Sequence, residues 1–175
     1  MKQAVLVIDM QRGLCDHAPR PHEADVVVQR INALTGRARA AGVPVAFVHH
    51  EAAGLVPETD DWQLAAGLHA DAGDMRIRKA TSDSFLRTPL DAWLSGQGVQ
   101  RVVVCGFASE FCVDTATRSA AAHGYAVVLA SDAHTTHDKP HASGAWIREH
   151  HNATLSDITS FDVPIRAVPS ADIAL

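Results

Sequence analysis

The residue best placed to do chemistry is Cys112. It lies in Arg101–Thr115, where the apolar run Val102-Val103-Val104-Cys105 stops at Gly106 and a loop with the small residues Ala108 and Ser109 leads into a helix-like segment. A thiol at a helix N-terminus meets unpaired backbone N–H groups and the positive end of the helix dipole. Both favour the thiolate, which is the nucleophile. The chemistry this suggests is attack on an electrophilic carbon such as a carbonyl, with a covalent thioester intermediate. Cys105, inside the apolar run, reads as inert core packing. Cys15 falls in a loop, either near a site or simply exposed.

Two other residues matter only if the fold brings them to Cys112. Asp9 ends the apolar run Ala4–Ile8. Such a run fits a strand buried on both faces, so Asp9 sits where a central parallel strand ends. It either caps the following turn or serves as a general base. Lys79 closes Arg76-Ile77-Arg78-Lys79. Strand alternation separates it from Arg78, but taken alone such a lysine is a solvated surface charge.

These residues need a scaffold, and the chain supplies strands alternating with helices. Strands are expected at Ala4–Ile8, Val43–Val48, Arg101–Cys105 and Ala126–Ala130. Val27, Ile31, Leu34 and Ala38 recur at helical spacing within 23–41, and further helices are expected over about Val113–His123 and Pro140–His151. The succession implies an α/β fold, a single three-layer α/β/α sandwich spanning 1–175 with a mainly parallel, Rossmann-like sheet and the first strand central. The stretch 51–74, with Gly54, Pro57, Trp62, Gly67 and Gly73, lacks periodicity. It reads equally as a substrate-recognition loop beyond a strand end or as a surface connection packed on the body.

The motifs, taken in order, resemble the isochorismatase-like cysteine hydrolases, a superfamily related to the nicotinamidases. Asp9-Met10-Gln11 is similar to its first motif. Lys79 with Ser84-Phe85 and Thr88-Pro89-Leu90 is similar to the middle one. Gly106 to Cys112-Val113, followed by Gly124-Tyr125, Asp132-Ala133 and Thr135, is similar to the nucleophile region. The resemblance implies a catalytic triad of Asp9, Lys79 and Cys112, a cis peptide at Phe107–Ala108, and an oxyanion hole from the Ala108 and Cys112 backbone N–H groups. It also implies a homo-oligomer, a dimer or tetramer. Candidates for substrate contact are Leu14, His50, Trp62, Phe107, Ser109, Phe111 and His134.

Departures from the family pattern bear on metal and substrate. Metal-dependent relatives carry Asp-x-His after the second strand, where this chain has His50-Glu51-Ala52. The eleven histidines therefore read as solvated or hydrogen-bonded, and neither metal nor another cofactor is expected. Leu14 stands where many relatives place an aromatic residue. Retention of Cys112 favours cleavage of an amide-type C–N bond over the vinyl-ether hydrolysis of isochorismate, which needs no thiol. A non-catalytic ligand-binding or interaction protein on the same fold is the third reading.

Composition narrows the partners to a small-molecule substrate. The 175 residues carry a formal net charge of −5, with 47% hydrophobic and 20% charged residues, and no cluster rich in lysine or arginine points to nucleic acid. No apolar stretch approaches membrane-spanning length, and Met1-Lys2-Gln3 runs straight into a strand. Three cysteines argue against a disulfide framework. The resulting expectation is a cytoplasmic protein.

Overall fold

Six strands form one parallel sheet in the computed structural model, which describes all 175 residues. They are β1 (Gln3–Ile8), β2 (Val45–His50), β3 (Met75–Lys79), β4 (Arg101–Phe107), β5 (Ala126–Thr135) and β6 (Ile165–Val168), in spatial order 3-2-1-4-5-6. The helices are α1 (Arg12–Cys15, a single turn), α2 (Ala24–Ala40), α3 (Leu90–Gly96), α4 (Asp114–Ala122) and α5 (Gly144–Ser156). No helix is long and apolar enough to cross a membrane.

Every residue of β1 is buried, as a strand covered on both sides requires. Ala4, Leu6 and Ile8 pack with Leu90 and Leu94 of α3, Ala116 and Ala120 of α4 and Leu155 of α5. Val5 and Val7 pack with Val27, Ile31, Leu34 and Ala38 of α2. The three layers expected from the sequence are therefore present, with β1 flanked by β2 and β4.

Several boundaries differ. β5 continues to Thr135 rather than stopping at Ala130, because after a register shift opposite Val104–Gly106 it pairs again, His134 beside Gly106 and Thr135 beside Phe107. The last helix starts at Gly144 rather than Pro140: Ser143 Oγ accepts from the Trp146 N–H and caps it. Three elements escape the periodicity, α1 of four residues, α3 of seven and β6 of four. The stretch 51–74 holds only a 3₁₀ turn, Asp60–Trp62, yet Ala65 and Leu68 are buried with α2, so part of it does pack on the body.

One glycine fixes how β4 meets β1. Gly106 adopts φ +119°, and a Cβ there would lie 2.1 Å from the Ile8 carbonyl oxygen. Both the dihedral and the contact exclude a side chain. Gly106→Ala is expected to destabilise the domain severely. Chemical denaturation should show a midpoint far below wild type, whereas Gly36→Ala, where a Cβ meets nothing within 4 Å, should leave it unchanged or slightly raised.

Candidate active site

Asp9 follows β1 in the left-handed region at φ +47°, which aspartate tolerates better than most residues. Its N–H continues the sheet by donating to Val48 O (2.9 Å), and its side chain turns into the interior, 1% exposed. Lys79 ends β3 and is 4% exposed. Alternation along β3 and its pairing with His50 send it to the face that carries α3 and α4. Cys112 occupies a π-helical turn, Ser109–Val113, that runs directly into α4. The peptide Phe107–Ala108 before that turn is cis.

These three side chains meet. Lys79 Nζ donates to Asp9 Oδ2 at 2.7 Å and lies 3.3 Å from Cys112 Sγ. It also donates to Thr81 O (3.0 Å) and His50 Nδ1 (3.1 Å). Acceptance at Nδ1 makes His50 neutral, in keeping with burial and the neighbouring ammonium, which both lower its pKa. Asp9 Oδ1 is buried without a partner.

Burial dominates the electrostatics. It raises the Asp9 pKa despite the opposing Lys79 ammonium. It also pushes the Cys112 thiol up to about 11, with the Asp9 charge adding to the rise and Lys79 opposing it. The helix-end argument for a stabilised thiolate therefore does not hold in the resting protein. Cys112 sits inside a turn, half-buried beside a carboxylate, and the proton stays on sulfur.

A cavity of about 220 Å³ opens onto Cys112 and Asp9, lined by Leu14, His50, Ser82, Phe107, Ala108 and Phe111. Phe111 is 55% exposed, with Lys139 Nζ 5.3 Å from the centre of its ring. Ala108 O accepts from the Phe111 and Val113 N–H groups, while neither the Ala108 nor the Cys112 N–H donates in the loop, turn and cap hydrogen bonds.

Three expected substrate contacts lie elsewhere. Ser109, which opens the π-helical turn, and His134, which lies behind that turn, are fully buried and joined through Ser109 Oγ and His134 Nδ1 at 2.8 Å. His134 Nε2 lies 2.9 Å from Asn152 Oδ1, and the Asn152 amide donates to Ser131 O. Because that amide nitrogen is committed to Ser131, Nε2 of His134 is the protonated nitrogen and Ser109 donates to Nδ1. Together they brace the turn against α5. Trp62 packs on His49, ring centres 4.6 Å apart, and lines a different hollow.

Other residues have roles or placements that the sequence did not reveal. Buried Gln11 donates to His50 O and Trp62 O and accepts from the His50 N–H, holding the end of β2 in place. Its place in the motif Asp9-Met10-Gln11 was the signal, and it carried no role with it. Ser82 and Asn152 gave none. Cys15 is fully buried, its thiol pushed up to about 12, and lines neither cavity.

Asp9, His50 and Cys112 bring ligand-type atoms within 4.8 Å of one another. Lys79 Nζ is within 3.3 Å of all three residues, so an ammonium already fills the position a bound cation would take. The arrangement does not suit a metal.

The same architecture recurs among known proteins. A crystal structure of an isochorismatase family protein superposes with a TM-score of 0.87 at 31% identity, covering 95% of this chain and 97% of that one. A streptothricin hydrolase of Streptomyces noursei is 37% identical over 81% of this chain, which spans 58% of that protein's length. A ureidoacrylate amidohydrolase, RutB, of Methylobacterium radiotolerans is 27% identical over 85% of this chain and 72% of its own. The isochorismatase domain as a family matches residues 3–160, from the first residue of β1 past the end of α5. On that extent of match, and on the architecture that accompanies it, the chain belongs to the isochorismatase family.

Proposed function

We propose that the protein is a cysteine-dependent hydrolase that cleaves an amide-type C–N bond of a small molecule through a thioester. The observation that carries this reading is the Lys79 ammonium within hydrogen-bond reach of both Asp9 and Cys112. The hydrolase and amidohydrolase names of the relatives support the bond class.

In this mechanism Asp9 Oδ1, the oxygen not held by Lys79, takes the thiol proton as sulfur attacks the substrate carbonyl. The negative charge that moves onto the carbonyl oxygen is met by the Ala108 and Cys112 N–H groups. Asp9 returns the proton to the departing nitrogen, then deprotonates the water that hydrolyses the thioester. Lys79 keeps a positive charge beside whichever of carboxylate and thiolate is ionised. No metal or cofactor takes part, and the working form is a dimer or tetramer.

The raised thiol pKa gives a test with opposite signs. Burial, the main cause of the raised thiol pKa, remains in Asp9→Asn, but the Asp9 charge that adds to it is gone, so iodoacetamide should alkylate Cys112 faster at pH 8 than in wild type. Turnover of the same variant should fall by about 10²–10⁴-fold, the scale of lost general-base catalysis. In wild type, the acid limb of kcat/KM should lie above the ordinary aspartate value of 3.8, because Asp9 works only when ionised and its pKa is raised. Slower alkylation in Asp9→Asn would assign the proton to another base.

Substrates are best sought among small amides and carbamoyl compounds, with the acyl-enzyme trapped by acid quench and weighed by mass spectrometry. A mass increase on Cys112 equal to the acyl portion supports the proposal. Turnover with no adduct and no dependence on Cys112 favours ether hydrolysis instead.

A further inference from the structure

The parity that turns Lys79 toward Asp9 turns Arg76 and Arg78 to the other face of β3, beside Phe47 and His49 of β2. There, on the side of the sheet covered by α2, Arg76, Arg78, His49, Arg12 and Trp62 line a hollow of about 460 Å³ with the segment 63–68. None of Asp9, Lys79 and Cys112 borders it.

Polar groups at this hollow lack partners. His49 is only 4% exposed, and its Nδ1 is unpartnered. Trp62 Nε1 and Arg12 Nε are likewise buried without an acceptor. Buried N–H groups are normally paired, so two such donors on residues that line one hollow call for an acceptor. The local charge has the matching sign. Arg12 is paired with Asp60 and Arg78 with Glu51, but Arg76 makes no ion pair, and the nearby Asp74 is engaged by Arg39 at 2.6 Å. Burial lowers His49 to about 4, so it adds no charge at neutral pH. One guanidinium remains unbalanced, lying 5.0 Å from the centre of the Phe47 ring.

We propose that this hollow is a second small-molecule site, separate from the catalytic cavity, that takes a ligand bearing a carboxylate or phosphate. The anion pairs with Arg76 and, once small side-chain rotations uncover them, accepts from Trp62 Nε1 and Arg12 Nε, while His49 Nδ1 serves a hydroxyl or N–H of the same ligand. The inference does not depend on the chemistry proposed for Cys112.

The test titrates the full chain with sodium phosphate and, separately, sodium acetate at constant ionic strength, which keeps general screening fixed. Trp62 is read by its indole N–H resonance, identified as the signal missing from Trp62→Phe. Saturable movement of that resonance is expected with at least one anion, and which anion does so identifies the ligand group. Calorimetry should show affinity weakened about tenfold in Arg76→Gln or Trp62→Phe, the scale of one charge-assisted hydrogen bond, and unchanged in Cys112→Ala. Arg76 is exposed, so its variant tests the site without disturbing the core. The proposal is overturned by no saturable shift with either anion, by full affinity in both Arg76→Gln and Trp62→Phe, or by loss of binding in Cys112→Ala.

Discussion

Cys112→Ala is expected to abolish turnover, by about 10⁶-fold on the scale set by removal of a covalent nucleophile, and to eliminate the trapped adduct. Its melting temperature should stay close to that of wild type. The side chain is half-buried at the edge of the core, and alanine removes one sulfur atom without leaving a buried polar group unpaired. Lys79 retains Asp9, Thr81 and His50 as partners after the sulfur is gone. A folded, inactive protein lacking the adduct is the outcome required of a nucleophile. If the variant keeps full activity on a confirmed substrate, sulfur is a bystander and the covalent mechanism fails.

How much of this was legible beforehand depends on the range of each interaction. β1 could be read because an uninterrupted apolar run has one inexpensive solution, burial on both faces. α2 could be read because Val27, Ile31, Leu34 and Ala38 repeat at the helical period. The positions of Asp9, Lys79 and Cys112 were legible through motif resemblance, and the structure brings them within hydrogen-bond reach. The ionisation of Cys112 was not. The helix-end argument sees only local backbone, whereas the thiol pKa is set by burial and by a carboxylate 103 residues away in the chain. Ser109 and His134 were misplaced for a related reason. Strand β5 outran its apolar segment, and that extension carries His134 behind the turn that holds Cys112 to meet Asn152 of α5, a residue with no sequence signal. β6 and α3 are too short for periodicity to register.

The buried pair makes a second large prediction, in which stability and catalysis separate. Lys79→Met removes the only cation bonded to Asp9, leaving a carboxylate 1% exposed with neither oxygen charge-paired. Breaking a buried ion pair from one side costs about 3–5 kcal/mol, because the remaining charge keeps its desolvation penalty. Denaturant titration of Lys79→Met should show a loss of that order. Asp9 should also titrate higher in the variant, since the group opposing its raised pKa is gone. Adding Asp9→Asn to Lys79→Met removes the stranded charge. The double variant should recover most of the lost stability while remaining as inactive as Lys79→Met alone. Recovery of stability without activity would separate the structural role of the pair from its chemical one. If the losses simply add, Asp9 and Lys79 are not coupled as the 2.7 Å contact requires. If the double variant regains turnover, neither Asp9 nor Lys79 handles the proton, and the geometry around Cys112 serves positioning alone.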